Sequence, residues 1–403
     1  MPKTIKLDYS SPQKLGRFAF LHLGFRPFFI GASSFAFIAI LLWMGIYTLS
    51  WPFTFSHLPP MTWHAHEMIF GYSIAVIAGF LLTATKNWTG MQTLHGYPLL
   101  GLFGLWGISR LLFLFGNAVP LEFIAISDIL FIGLLTISVC YPLLKTKQWK
   151  NIIFVGLLIL LGCSNMVFYL GAFGGWFPGI YYGLYAGLYL VLTFIFIMGR
   201  RIIPFFIEKG LGYPVQLKNW PWIDKTHLIL FGAFASADLI NPNSYLTAGL
   251  AGLTAFVHGL TLIGWYQHGI WKKPLLWILY LGYVFIVLGF ILKVLAILGG
   301  ISVYLAVHAF AVGGIGMITL GMMARVSIGH TGRNVLAPPH SLFWIFGLLS
   351  CSAFIRIIFP LINASFYLWW IALAQLFWLF AFGWFLVVFL PMLIYPRTDG
   401  HYG

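Results

Sequence analysis

The sequence predicts an all-α, polytopic integral membrane protein with about twelve transmembrane helices and both termini in the cytoplasm. Of its 403 residues, 61% are hydrophobic and only 7% are charged, a composition that soluble globular domains do not have. Twelve apolar runs are long enough to cross a bilayer. Basic residues are concentrated in alternate connections between these runs, which is the distribution that sets the orientation of membrane proteins.

The apolar runs cover most of the chain. They lie at about 27–50, 64–85, 97–116, 121–144, 151–172, 179–200, 226–241, 244–267, 274–298, 301–324, 339–361 and 366–395. The first is too long for the core of a signal peptide and is expected to be an uncleaved span. We therefore predict a single membrane domain over residues 1–403, with spans 1–6 within 27–200, a cytoplasmic connector at about 205–225, and spans 7–12 within 226–395.

The basic residues predict the orientation. With a cytoplasmic N-terminus, 19 of the 22 lysines and arginines fall in inside segments and none falls in an outside loop. This is the positive-inside pattern. The net charge of +14 is thus explained by topology, so the lipid bilayer is an expected partner and nucleic acid is not.

Three cations and four acids lie in the outer halves of the predicted spans. The cations are Arg110, Lys293 and Arg356, and the acids are Glu67, Glu122, Asp128 and Asp238. Charged side chains within hydrocarbon are costly unless they are paired. We therefore expect an ionic layer near the outer face, in which these cations pair with acids across helices.

Residues 63–71 open the second span with the sequence Trp-His-Ala-His-Glu-Met-Ile-Phe-Gly. The 100° step of an α-helix places His64 and Glu67 on one face with Met68, while His66 points elsewhere. The two histidines are therefore expected to serve different neighbours. An interfacial belt bonded to water and backbone remains an alternative for both.

Two further histidines lie within later spans. His308 is about two turns into span 10, on the outer side, and can lie across the bundle from His64 or His66. His258 falls near the middle of span 8. Histidines on facing helices with cations at the same depth suit a b-type haem, because imidazole ligates the iron and Arg or Lys neutralises the propionates.

The candidate residues follow from this chemistry. The cofactor-binding candidates are His64, His66, His308, His258, Arg110, Arg356 and Lys293. Copper also accepts imidazole and thioether ligands, and the metal-binding candidates are His64, His66, His308, Met68 and Glu67. The alternative from another functional class is a proton-coupled membrane transporter, whose pathway is the buried ionic layer of Glu67, Asp128, Asp238, Arg110, Lys293 and Arg356.

Other patterns concern packing and the inner face. Basic residues in 199–206 and 325–333 are expected to complement helix C-termini and anchor to headgroups, with an anion or partner site as the alternative. Small-residue stripes predict close helix packing at Gly101/Gly104/Gly107, Gly183/Gly187 and Gly313/Gly314/Gly316. The three cysteines form no Cys-x-x-Cys motif, so neither a disulfide framework nor a thiolate metal site is predicted.

Five segments, in order along the chain, resemble the NnrS family. They are Phe25-Arg26-Pro27-Phe28-Phe29, the stretch 63–71 given above, Asn87-Trp88-Thr89-Gly90, Gly199-Arg200-Arg201-Ile202-Ile203-Pro204-Phe205-Phe206 and Gly321-Met322-Met323-Ala324-Arg325-Val326-Ser327-Ile328-Gly329-His330-Thr331-Gly332-Arg333. The resemblance implies a bacterial inner-membrane protein of twelve spans that contains haem and copper. Such proteins accompany denitrification and the nitric oxide response and relieve nitrosative stress.

This resemblance implies a site near the periplasmic side that binds or processes nitric oxide or its iron-nitrosyl products. Because the sequence holds no soluble electron-carrier domain, redox turnover would need an external electron donor. One position departs from the family pattern, since Tyr280 stands where relatives often carry histidine. Either this position is not a ligand, or this member has lost one.

Overall fold

The structure, a computed structural model, describes residues 17–53, 58–115 and 118–403. Over these ranges the chain is built from helices joined by short connections, without a β-strand. The predicted all-α, polytopic architecture is therefore confirmed. The N-terminus, predicted to be cytoplasmic, lies outside the described residues.

The helices follow the apolar runs closely. They are α1 Phe25–Tyr47, α2 Pro60–His66, α3 Ile74–Thr89, α4 Gly96–Leu114, α5 Leu121–Lys145, α6 Ile153–Ala172, α7 Gly179–Gly210, α8 Pro221–Ile240, α9 Tyr245–Trp265, α10 Pro274–Gly299, α11 Val303–His308, α12 Met317–His330, α13 Ser341–Ile357, α14 Phe359–Ile362 and α15 Tyr367–Ile394. Two π-helices, Glu67–Ser73 and Ala309–Gly316, join α2 to α3 and α11 to α12. Short 3₁₀ turns occupy Trp149–Asn151, His268–Lys272 and Ala364–Phe366.

Eleven helical segments of the described chain are long and apolar enough to cross a membrane. The remaining predicted span, at 226–241, forms α8, which has 20 residues and includes Asp224, Lys225 and Asp238. Its length suffices for a membrane crossing, but every 18-residue stretch of it contains all three of these charged residues. Helix α7 continues to Gly210, so the segment that joins it to α8 runs only from 211 to 220.

Each π-helix directly follows a predicted site histidine. His66 ends α2 before the first π-helix, and His308 ends α11 before the second. A π-helical turn is wider than an α-helical turn and is frequently found at functional sites. The local backbone therefore departs from regular geometry at the two places where the sequence predicts chemistry.

Close helix packing depends on glycines at some of the predicted stripes. A Cβ on Gly187 would lie 2.7 Å from the Phe70 ring, and one on Gly313 would lie 2.4 Å from Phe285. The predictions for Gly183/Gly187 and for the stripe at 313–316 are thus confirmed. The prediction for Gly101/Gly104/Gly107 is wrong, because nothing in the described structure lies within 4 Å of a Cβ there.

The basic residues of the 199–206 and 325–333 segments make internal contacts. Arg200 pairs with Asp224, and Arg201 donates to Asn151 Oδ1 at 3.0 Å. Arg325 lies 3.6 Å above the ring of Phe206. Each of these three arginines therefore has a partner inside the protein. Helix α7 does not end at Arg200, contrary to the prediction that Arg200 complements a helix C-terminus.

Residues 329–333 hold the C-terminal segment. Thr398 donates its backbone N–H to Thr331 O at 3.1 Å. Gly332 has φ +77°, and a Cβ there would lie 2.8 Å from the Asp399 carboxyl carbon, so both the conformation and the space require glycine. The buried Arg26 donates to carbonyls beyond the end of α15, including Tyr395 O at 2.9 Å. Two of the segments that carry the family resemblance therefore fix the end of the chain.

Candidate functional site

The predicted site residues do not form one site. The structure divides them among four groups, which we call the His64–His308 site, the Glu67–Arg110 network, the Lys293–Asp238 pair and the His227–His258 pair. No contact in the described chain joins a member of one group to a member of another by hydrogen bond or ion pair. The groups share some helices, since α2 carries both His64 and His66 and α8 carries both His227 and Asp238, but each has its own charge balance.

The His64–His308 site contains His64 of α2 and His308 of α11, which interact electrostatically. His64 stacks on Trp43 of α1, with ring centroids 4.6 Å apart and planes 2° from parallel. Its Nδ1 is buried and has no hydrogen-bond partner in the described structure. His308 donates from Nδ1 to Tyr304 O at 2.7 Å, so the lone pair of the ring stays on Nε2. Contacts of this kind orient metal-ligating histidines.

Arg356 completes this site from α13. Its Nη2 lies 3.3 Å from both ring nitrogens of His308 and 3.4 Å from the Tyr367 hydroxyl. Arg356 is 8% exposed, its Nη1 has no hydrogen-bond partner, and no carboxylate pairs with it among the described residues. The predicted pairing of this cation with an acid is therefore wrong, and the site is left with a positive charge that nothing neutralises.

The Glu67–Arg110 network confirms the predicted pairing for a second cation. Arg110 of α4 donates to Glu67 Oε1 at 2.5 Å and is also bonded to Asp128 of α5. Tyr169 of α6 donates to Asp128 Oδ2 at 2.7 Å. His66 lies 2.9 Å from Glu67 Oε1. All five side chains are buried, so four helical segments meet at one polar centre.

The same network gives Glu67 partners other than the one expected. The α-helical step predicted that this carboxylate shares a face with His64, but it is bonded to the adjacent His66 and to Arg110. Both ring nitrogens of His66 face oxygens, with Nε2 2.9 Å from Asn165 Oδ1. His66 thus has no nitrogen directed to an open site.

The Lys293–Asp238 pair confirms the pairing of the third cation. Lys293 Nζ of α10 lies 2.6 Å from Asp238 Oδ1 of α8. Tyr189 of α7 donates to the other carboxylate oxygen at 2.5 Å. Asp238 is 0% exposed, so the pair is compensated within the bundle and Lys293 is already engaged.

His258 lies apart from the other predicted ligands and beside a residue that the sequence did not single out. Its ring stacks on Phe196 at 4.2 Å, and its Nδ1 is 2.6 Å from the Tyr283 hydroxyl. The neighbouring ring is His227 of α8, 6.0 Å away between centroids. His227 lies in the second turn of α8, because the helix begins at Pro221 and not at 226 as the apolar run predicts.

An apolar cavity of about 80 Å³ lies between α1, α3, α7, α10 and α12. Its wall is formed by side chains such as Phe29, Val76, Phe194 and Met322, and no histidine is among the described residues that line it. This cavity offers space to a small apolar molecule. It offers no imidazole to a haem iron.

The residues predicted to bind metal do not form one cluster in the described structure. The described residues contain no group of three or more His, Cys, Asp or Glu side chains that could hold a metal ion. Met68 packs against the core and its carbonyl accepts from Ser73. Tyr280 donates its hydroxyl to Leu262 O at 3.1 Å.

The comparison with family models decides the identity. The NnrS protein model matches residues 19–397, nearly the whole of the chain. The chain belongs to the NnrS family. The predicted resemblance is thereby confirmed, and membership supports a membrane protein of the nitric oxide response in general terms. The search of curated proteins found no match.

The residues of this NnrS-family chain can be tested against the cofactors that the resemblance implies. At the His64–His308 site an unpartnered imidazole nitrogen, an imidazole with its lone pair on Nε2, and an unneutralised guanidinium lie together. Imidazole and guanidinium are the groups that a haem iron and its propionates require. The imidazoles and guanidinium of this site, with no acid beside them among the described residues, therefore fit haem, whereas His66 and Lys293 lie against carboxylates.

Proposed function

We propose that this NnrS-family protein is a haem- and copper-containing inner-membrane protein of nitric oxide metabolism or nitrosative-stress protection. In this proposal the His64–His308 site holds haem b and faces the periplasm, where nitric oxide or an iron-nitrosyl product binds. The observation that carries it is the uncompensated Arg356 beside two histidines. A buried cation without an acid is costly, and an anionic group bound there would neutralise it.

Each residue has a stated task in this proposal. His308 ligates through Nε2, because Tyr304 O holds its Nδ1–H. His64 is held in one orientation by Trp43 and provides the second imidazole. Arg356 neutralises a propionate. When bound, the haem iron would supply reversible binding of nitric oxide.

The apolar cavity offers a second binding place for a small apolar gas, apart from the His64–His308 site. The cavity around Phe29, Val76 and Met322 lies within the bundle and its wall is almost wholly apolar. Nitric oxide partitions into apolar spaces because such spaces, like the lipid core, exclude water. We propose that the cavity stores the gas, and that any redox turnover of it depends on an external electron donor.

The test is the absorption spectrum of detergent-purified protein, oxidised and then reduced with dithionite, followed by nitric oxide. The expected result for the wild type is a Soret band that shifts on reduction and again with nitric oxide. His64→Gln and His308→Gln should each lose most of the haem. His340→Gln, at an exposed histidine, is the matched control and should retain it.

Two further results bear on the assignment. His66→Gln should lower thermal stability and leave the haem-to-protein ratio unchanged, because His66 belongs to the Glu67–Arg110 network. A colourless wild-type protein from haem-replete cells would contradict the proposed function. Full haem content in both His64→Gln and His308→Gln would contradict the site alone.

The transporter alternative is supported by the Glu67–Arg110 network. Its buried carboxylates, arginine and imidazole are joined by hydrogen bonds, as in the proton relays of transporters. In that case, proton-coupled uptake by proteoliposomes should collapse in Asp128→Asn. Tyr141→Phe, at an exposed aromatic residue of the same helix, is the matched control. Uptake unaffected by Asp128→Asn would remove this alternative.

A further inference from the structure

Two buried histidines on neighbouring helices each leave one ring nitrogen without a hydrogen-bond partner. His227 of α8 is 6% exposed and His258 of α9 is 0% exposed. In both rings the unpartnered atom is Nε2. Buried polar atoms are normally satisfied, so two orphaned imidazole nitrogens in adjacent rings require an explanation.

The other nitrogen of each ring is already held. His227 Nδ1 lies 2.8 Å from Ile223 O, and since a carbonyl can only accept, Nδ1 carries the hydrogen and Nε2 carries the lone pair. His258 Nδ1 lies 2.6 Å from the Tyr283 hydroxyl, which can accept from it in the same way. A hydrogen bond to the distal nitrogen is how metal-ligating histidines are oriented.

The spacing of the rings fits a single shared ion. Their centroids are 6.0 Å apart and their planes are 82° from parallel. Two imidazoles bound to one ion on opposite sides, with metal–nitrogen bonds of about 2.0 Å, have centroids roughly 6 Å apart. The rings therefore already have the separation that a linear two-nitrogen site requires.

The surroundings restrict the charge of that ion. Phe196 lies 4.2 Å from the His258 ring and Phe290 lies 6.2 Å from it. The nearby acid Asp224 is paired with Arg200. Two neutral nitrogens in an aromatic pocket favour a monovalent ion over a divalent one, because burying charge without a counter-charge is costly. Imidazole is a good ligand for copper, and Cu⁺ is the copper ion that accepts two ligands.

We propose that His227 and His258 form a two-coordinate Cu⁺ site, with Tyr283 as a positioning residue. This inference rests on the proposed function only in taking copper as the metal that the protein binds. It does not depend on haem binding at the His64–His308 site. The site lies away from His64 and His308, so the two cofactors are separate.

The test is anaerobic loading of the full-length protein with Cu⁺ in the presence of a competing Cu⁺ chelator, followed by elemental analysis. The wild type should retain one copper ion per chain. His227→Gln and His258→Gln should each weaken retention at least 10-fold, and Tyr283→Phe by roughly 10-fold, as for other outer-sphere partners of metal ligands. His268→Gln, at an exposed histidine, should behave as the wild type.

X-ray absorption of the copper-loaded wild type tests the site directly, so the result does not depend on whether a variant folds. Two nitrogen ligands and no sulfur ligand are expected. A sulfur ligand, a four-coordinate ion, or equal copper retention in the wild type and both glutamine variants would overturn the proposal. Haem content and the nitric oxide shift of the Soret band, read on the same samples, report separately on the proposed function.

Discussion

Arg356 and His308 are in direct contact, and no acid of the described chain pairs with them: Nη2 of the arginine lies 3.3 Å from both nitrogens of the imidazole. The other two cations predicted within the spans, Arg110 and Lys293, each contact a carboxylate. Arg110 and Lys293 therefore stabilise the bundle through ion pairs, whereas Arg356 is available to bind an anionic ligand. It is the reason for placing the functional site at His308 rather than at His66.

Replacement of Arg356 should have opposite effects on stability and on cofactor retention. In the absence of haem, Arg356→Gln removes an unneutralised buried cation and should raise the thermal unfolding temperature. With haem, the same variant loses the partner of a propionate and should retain less haem in a size-exclusion and absorption assay. Arg356→Lys keeps the charge and should restore part of the retention.

An Arg356→Gln protein that is less stable without haem would contradict the first expectation. Retention of wild-type haem content by this variant would contradict the second. The two measurements are independent, because stability is measured on haem-free protein and retention on haem-loaded protein.

Arg110 should be the most sensitive charged residue of the bundle. Arg110→Gln leaves Glu67 and Asp128 buried without their cation, and breaking a buried ion pair costs about 3–5 kcal/mol. We expect a large loss of stability against chemical unfolding in detergent. Combining it with Glu67→Gln and Asp128→Asn removes the stranded charges and should recover part of the loss. If the combined variant recovers no stability, packing rather than charge pairing stabilises the Glu67–Arg110 network.

Much of the fold was predictable because every helix that crosses the bilayer needs about 20 consecutive, predominantly apolar residues. The predicted run at 121–144 became the helix Leu121–Lys145, and the run at 274–298 became Pro274–Gly299. Helix α7 continues past the predicted end of span 6 at 200, because a helix that leaves the hydrocarbon does not have to end there. It includes the polar Arg200 and Arg201 and ends at Gly210.

The site was less predictable because it depends on which residues meet. The residue types and depths of Arg110 and Asp128 predicted that such charges pair across helices, but not which partners meet. The α-helical step did not give the partners of Glu67, because its bond to Arg110 depends on the approach of another helix. His227 was missed because assigning it required the helix start at Pro221 and the approach of His258 from another helix.

The glycine stripes provide a matched pair of substitutions. Gly313→Ala would place a methyl group 2.4 Å from the Phe285 ring, and overpacking of this kind costs about 1–3 kcal/mol. Gly104→Ala meets nothing within 4 Å in the described structure and should be neutral or stabilising by up to about 1 kcal/mol. Thermal unfolding in one detergent measures both. Equal effects would mean that the predicted clash does not control stability.

The C-terminal segment should remain docked as the pH falls from neutral to mildly acidic. Hydrogen bonds from Arg397 hold the pKa of the Asp399 carboxyl well below its usual range. A carboxyl whose pKa is lower in the folded state contributes stability above its unfolded pKa of about 3.9, and this is lost only as the pH falls through the folded pKa. Hydrogen exchange at Thr398, corrected for intrinsic rates, should therefore show equal protection at pH 7 and at about pH 5. Asp399→Asn should lower that protection at neutral pH, and loss of protection in the wild type at about pH 5 would contradict the assigned role of this carboxylate.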